Sequence, residues 1–361
     1  MKIFLRTAWL TLTAAFTLAL VALILSLTAA LPPSVAAIPR DTPAPDLTPV
    51  VAVYLPSLAR GEQPPKPTLN WHQTDMRGVG LLGMINATEG WGSGLNSVYR
   101  LHGGLWEERP PFWVGWLRAF SPLTDGHVWA RTDTQIWRWD GATWADVPKP
   151  IESVTALHMV SDRDGWAATN PEQYHTTMLH WNGQTWEPGV TLGFEGAIFA
   201  AAPDGAIWVT GDISDNIPGY TCISHLNKWD GTTWTIKEPP AHVCPSSLQV
   251  LADDDIWISG SINMWDRRWS SSKPALMHWD GHSWENQVPP NMQKPKAEMP
   301  ASYDGWMAGQ VGADTQLWHW DSQRWTLHDT IRNAVFIDLQ MTSTTDGWLS
   351  TTLGLWHYTA P

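Results

Sequence analysis

Residues 228–234 read "KWDGTTW": two tryptophans five positions apart around an Asp-Gly pair. The pattern returns as "RWDGATW" from Arg138, "HWNGQTW" from His180, "MHWDGHSW" from Met277 and "HWDSQRW" from His319. Its first aromatic is Trp139, Trp181, Trp229, Trp279 or Trp320, with Leu101 in that place in the first repeat and Tyr358 in the last. Its second is Trp106, Trp144, Trp186, Trp234, Trp284 or Trp325. Interleaved is another series, in which Trp91, Trp129, Trp166, Trp208, Trp257, Trp306 and Trp348 each follow an acidic or glycine-bearing turn such as "DGW".

The intervals carry more information than the motif. From the first to the second motif position is always 5, and from there to the next turn tryptophan is 22 or 23. Only the step from turn tryptophan to motif varies, running 10, 10, 15, 21, 22, 14 and 10. Such a unit is a four-stranded blade with strands A to D, A innermost. The "DG" before each turn tryptophan predicts a tight A–B hairpin, and "WDG" or "WNG" a C–D hairpin of the same type I′ chemistry. The variable interval is then the B–C loop. In "TTMLHWNG", Met178, His180 and Asn182 alternate with Leu179 and Trp181, as a strand requires. A mean period of ~43 residues is that of propeller blades.

Seven turn tryptophans predict an all-β fold, a seven-bladed β-propeller of four-stranded antiparallel blades over residues 68–361. The last repeat stops after strand C, while "TLNWHQT" (residues 68–74) has no A, B or C before it. Residues 68–74 are therefore expected to supply strand D of the last blade, which removes an open sheet edge. The repeated tryptophans are read as core, filling the wedges between blades. On that reading Trp234→Ala costs ~3–5 kcal/mol.

With 27 Trp, 28 Gly, 28 Pro and a net charge of -13 in 361 residues, the chain has the profile of a turn-rich β protein, and its charge argues against nucleic acid. Lys2 and Arg6 precede an apolar run to Leu31 and a small-residue site ending at Ala37. Residues 1–37 are a secretory signal or an uncleaved anchor helix, and both place the bulk of the chain outside the cytoplasm. Residues 38–67 read as a Pro-rich linker carrying an apolar island at residues 50–56. Cys222 and Cys244 are expected to pair in an oxidising compartment; two unrelated thiols are the other reading.

The pattern "DGW" followed by "LxHWDGxTW" resembles the Asp-box, or BNR, repeats of sialidase-like propellers. It is also similar to the repeats of the photosystem II assembly and stability factor family. The resemblance spans residues 68–361. The usual Asp-box separates its acid and glycine by one residue, whereas Asp230-Gly231 and Asp140-Gly141 are adjacent. In those families the box is a C–D turn remote from the active site, so the resemblance implies fold and not catalysis.

His180, His278, His319 and His357 share one motif position with Arg138 and Lys228. They sit on different blades, cannot converge on one metal, and are read as solvent-facing. The acids of "SDRDG" and "ADDDIW" are read as turn acids and not calcium ligands. No G-x-S-x-G, His-Glu-x-x-His or suitably spaced carboxylate pair appears. No catalytic residue, metal or cofactor is assigned. Function is sought instead in the long B–C loops of blades four and five. The second carries Trp265, Arg267, Arg268, Trp269 and Lys273 outside the repeat register; the alternative is a self-packed insertion. Trp113 and Trp116, in the first D–A connection, are further binding candidates. The expected function is a non-enzymatic, monomeric, extracytoplasmic scaffold with a protein partner. A lectin-like propeller reading cell-envelope glycans is the alternative, and a sialidase-type hydrolase the third.

Overall fold

The C-terminal strand shows how the ring closes. Gly354–Thr359 pairs on one side with Asp346–Thr351 and on the other with Asn70–Gln73. Trp71 stands opposite Tyr358 as Trp139 stands opposite Trp144 and Trp181 opposite Trp186. The computed structural model describes residues 70–95, 97–110, 116–149, 153–172, 174–214, 219–266 and 269–360. They form seven antiparallel sheets of four strands, the fifth gaining one short extra strand, and the described residues contain no helix. The described residues thus form a seven-bladed β-propeller closed by the pairing of Asn70–Gln73 with the C-terminal strand. The signal or anchor segment, the linker and its apolar island lie outside the described residues.

Blade three is representative: Ala156–Ser161, Asp164–Glu172, His175–Trp181 and Trp186–Leu192 are strands A to D in that order. All seven strand-B tryptophans are 0–5% exposed. Each leans on the motif pair of the next blade. Trp129 meets Trp181 at 5.3 Å and Trp186 at 6.1 Å, and Trp166 meets Trp229 and Trp234, both at 5.3 Å. Trp306 meets Trp71 at 5.4 Å and Tyr358 at 4.9 Å. Most of these contacts are edge-to-face, the geometry the ring quadrupole favours. The strand-D tryptophans are less buried than expected. Trp186 and Trp71 are enclosed, but Trp106, Trp144, Trp234, Trp284 and Trp325 are half-buried, because D is the outermost strand and one side of it meets solvent.

The turns also differ from the expected type I′ hairpins. In "DGW" the acid and glycine are not the turn; they open strand B. Ser161 pairs with Asp164, leaving Asp162 and Arg163 as the connection. Only Gly126 and Gly205 lie in A–B turns with positive φ, at 90° and 86°. The other glycines answer a packing need. A β-carbon on Gly165 falls 2.5 Å from the Met159 sulfur, and Gly90, Gly305 and Gly347 are covered in the same way by Met84, Met299 and Met341. Where Val128, Ile207 or Ile256 replaces the glycine, the strand-A residue opposite is Pro122, Ala201 or Val250. In the C–D hairpins the acid flanks the turn: Asp230 Oδ1 accepts from the Thr232 and Thr233 N–H groups, at 2.9 and 2.8 Å.

Strands A of neighbouring blades are joined by side chains. Gln249 accepts from the Met299 N–H at 2.6 Å, and Gln340 accepts from the Met84 N–H at 2.8 Å while donating to the Leu82 carbonyl. Asp338 accepts from the Leu82 N–H at 2.9 Å.

Candidate functional site

The two long B–C connections are not loops. In blade five, strand B runs Asp255–Asp266 and strand C runs Trp269–Trp279, one uninterrupted hairpin with Asp266 opposite Trp269. In blade four, strand B extends to Ser214 and strand C starts at Cys222. Between them Gly219–Tyr220 crosses over and pairs with Met264 and Trp265 of blade five. Cys222 and Cys244 are joined in a disulfide that ties strand C of blade four to strand A of blade five. The blade-four connection is thus fixed to the hairpin by backbone pairing and by a covalent bond. Asp212 lies near the two sulfurs, its carboxylate within 4.8 Å of them. Those sulfurs are bonded to each other, so they offer no thiolate ligands.

Trp265 and Trp269 lie at the end of this hairpin, and Lys273, opposite Ile262, is exposed further down it. Arg267 and Arg268 lie outside the described residues, as does Trp113. Trp116 is 66% exposed and belongs to the connection entering blade two, so it is not gathered with the blade-five group.

Beside the hairpin the D–A face opens into a cleft of about 970 Å³, spanning the first residues of strands A of blades five, six and seven. Ser246, Ser247, Lys294, Pro295 and Phe336 line it, with Lys296 at its floor. Lys294 is exposed and holds a φ of 51°, a conformation uncommon for a residue with a side chain. Lys296 is inside. Its ammonium donates to Asp338 at 2.7 Å and to the Leu339 carbonyl at 2.8 Å, and pairs with Glu298 at 3.1 Å. Burial pulls its pKa down, but the Asp338 and Glu298 carboxylates outweigh that and hold it above the ordinary lysine value. Burial raises Glu298 in turn, against the pull of Lys296. On the opposite side of the ring, His158 on strand A of blade three is desolvated and held down at about 4. The innermost strands thus carry charge and amides on blades five to seven, and Phe120, His158 and Phe199 on blades two to four. The cleft's lining sets hydroxyls, the Gln293 amide and one exposed cation among the apolar surfaces of Pro245, Pro274, Pro295, Phe336 and Ile337; among the described residues it holds no histidine, and its cysteine is in the disulfide. That suits holding an extended, acceptor-rich segment.

The sequence reading missed this cleft. Its signal is in "QKPKAEMPA" (Gln293–Ala301), where Lys296 and Glu298 take the channel-facing places of an innermost strand.

The motif basic residues are only partly solvent-facing, from Lys228 with 14% of its side chain exposed to His180 with 41%. Each stands directly across from the strand-B tryptophan of its own blade: Trp166 opposite His180, Trp257 opposite His278, Trp306 opposite His319 and Trp348 opposite His357. His278 and His357 stack on those rings at 3.9 Å. Their imidazoles reach Asp255 at 3.0 Å and Asp346 at 2.7 Å. Arg138 pairs with Asp162, and Lys228 with Asp253, which accounts for the acids of "SDRDG" and "ADDDIW" as turn acids gripping the neighbouring blade. The alternation of the strand points these side chains out of the core, but the tryptophan face and the acid recapture them.

No protein-family model and no curated protein matches the sequence. Solved structures do match, at the level of fold. A structure of YCF48 bound to D1 peptide aligns over 82% of this chain and 96% of its own, at 14% identity and a TM-score of 0.56. YCF48 from Cyanidioschyzon merolae aligns over 80% and 98%, at 12% identity and 0.52. A streptogramin B lyase aligns over 81% and 97%, at 11% identity and 0.57. At identities this low the likeness is one of fold alone, and one fold hosts both binding proteins and enzymes.

Proposed function

We propose that this propeller is a non-enzymatic, extracytoplasmic scaffold that binds an extended segment of a protein partner in the cleft beside the blade-five hairpin. The observation that carries the reading is the cleft itself. It encloses about 970 Å³ and lies on the face where the repeat is broken. Its walls are held in place by the disulfide and by the Gly219–Tyr220 crossover. A groove whose walls are already tied together lowers the ordering cost of a bound chain. The similarity to YCF48, one structure of which holds D1 peptide, supports the reading by analogy of fold. The apolar N-terminal run and the disulfide support a location outside the cytoplasm. The BNR-type ancestry of the repeats is part of the same proposal and rests on the motif alone.

The test is a pull-down from the native envelope with the full-length chain, a Ser247→Trp variant that fills the cleft, and a variant lacking residues 263–274. A partner held by the first and lost by the second supports the proposal. A partner retained by both variants places binding elsewhere. Sugar binding on a glycan array that Trp265→Ala with Trp269→Ala abolishes transfers the function to a lectin, and turnover of a fluorogenic sialoside to a hydrolase.

A further inference from the structure

One blade departs from the pairing that the other six share. In every blade a basic residue of strand C stands across from the strand-B tryptophan. Six are satisfied by a carboxylate: Arg138 by Asp162, His180 by Asp164, Lys228 by Asp253, His278 by Asp255, His319 by Asp304 and His357 by Asp346. The seventh is Arg100, opposite Trp91 in blade one. Among the described residues no carboxylate lies within ion-pair distance of it. Its guanidinium carbon is held 5.7 Å from the Trp91 ring centre and 5.2 Å from that of Trp139 on the next blade.

Both acids that would complete the pattern are engaged elsewhere. Glu89 occupies the strand position of Asp164, but it is turned to His102 Nδ1 at 3.0 Å and to the Gly103 N–H at 3.1 Å. Arg100 is the weakest of the groups pulling its pKa down. Arg138 and Lys228 take their acid from the A–B turn of the following blade. The counterpart for Arg100 is Asp125, which accepts from the His127 N–H at 3.0 Å and pairs with His127 Nδ1 at 3.1 Å.

Two cavities flank the guanidinium, of about 310 and 540 Å³, and share Trp91, Arg100, Trp139 and Gly141. Glu89, Asp125 and Asp140 line the smaller and make it a poor place for an anion. The larger is lined by Trp91, Val98, Arg100, Arg109, Trp139 and Trp144 among others and, among the described residues, by no acid. We infer that this larger cavity is a binding subsite for a carboxylate borne on a flat apolar group, the carboxylate supplying Arg100 with the partner that an aspartate supplies in the other blades. A guanidinium presents paired donors to a carboxylate, and the Trp139 ring and Val98 offer a surface for the apolar body. The volume is that of a small-ligand pocket. The site lies between blades one and two, apart from the cleft of blades five to seven, and does not depend on that cleft's function.

The probes are phenylacetate, a free acid, and a tetrapeptide ending in phenylalanine, each against its own amide, titrated calorimetrically into the intact chain. Binding of either acid at least tenfold tighter than its amide is expected, since one charge-assisted pair is worth about that factor. Preference for the peptide identifies a chain terminus, and preference for phenylacetate a free small acid. Arg100→Gln should abolish the difference, Arg100→Lys should retain part of it, and Arg138→Gln, which removes a basic residue already paired, should leave it intact. Equal binding of acid and amide overturns the inference. So does no heat at about 10 mM ligand, or the same loss in Arg138→Gln as in Arg100→Gln. If Arg100→Gln does not fold, the acid-to-amide ratio of the native chain and of Arg100→Lys decides.

Discussion

The two faces of the ring are built on opposite principles. On the face of the A–B and C–D hairpins one constellation recurs in nearly every blade: a buried tryptophan, a basic residue laid on it, an acid gripping that residue, and two aromatics from the next blade. On the face of the B–C and D–A connections nothing recurs. One hairpin is prolonged, one crossover strand is added, one disulfide is closed and one lysine sits at φ 51°. The difference teaches where to look. Repetition marks the side that holds the blades together, and function is sought where repetition stops or, as at Arg100, where one copy is left incomplete.

The widest gap between the faces should be in stability. Trp306 is fully buried against Trp71 and Tyr358 of the next blade. Trp306→Ala should cost ~3–5 kcal/mol in urea unfolding, by lost burial plus the cavity left behind. Trp116, 66% exposed on the variable face, should cost within ~0.5 kcal/mol when changed to Ala. Half-buried Trp234 should fall between them, below the value its sequence motif alone implied. Equal losses for Trp306 and Trp116 would break the comparison.

The variable face holds one strong restraint. Replacing Cys222 and Cys244 together by Ser opens a bond between residues 22 apart. It should lower stability by ~3 kcal/mol, read as a lower unfolding midpoint. Proteolysis should then begin in the blade-four connection while the other blades stay protected. Uniform sensitivity around the ring would show that the bond supports the whole closure.

A third contrast lies within the repeated face. Gly305→Ala places a β-carbon against the Met299 thioether and should cost ~1–3 kcal/mol by overpacking. Met299→Ala in the same chain makes room for it, so the double variant should lose less than the sum of the two single changes. Simple additivity would mean the glycine is needed for its backbone after all.

The architecture was legible because intervals are set by geometry. The five-residue step is the C–D hairpin between paired aromatics, and the 22–23-residue step is one strand out and one strand in. Closure by Trp71 and Tyr358 followed from what the last repeat lacked. What local pattern does not carry stayed hidden. "DG" signals a turn in isolation, yet Gly165 is required by a methionine six residues before it. His278 alternates outward, yet Trp257 and Asp255 capture it. The cleft at Lys296 draws on three blades, and the unpaired state of Arg100 depends on where the Glu89 and Asp125 side chains turn. Neither is written in any one segment.

The smallest expected effect tests whether the hairpin acids act by charge or by shape. Backbone N–H groups hold Asp140, Asp230, Asp280 and Asp321 below the ordinary carboxylate range of about 3.9. A carboxyl depressed in the folded state stabilises it fully above the unfolded value, and the contribution drains away as pH falls through the folded one. Blade three supplies a natural control. Asn182 Oδ1 accepts from the Gln184 and Thr185 N–H groups, both at 2.9 Å, so an amide holds the same turn without titrating. Changing the four acids to Asn should therefore leave the fold at pH 7 nearly unaltered and flatten the fall of thermal stability below pH 4. An unchanged acid limb would assign that fall to the buried acids of the inner strands and leave the hairpin aspartates a purely geometric role.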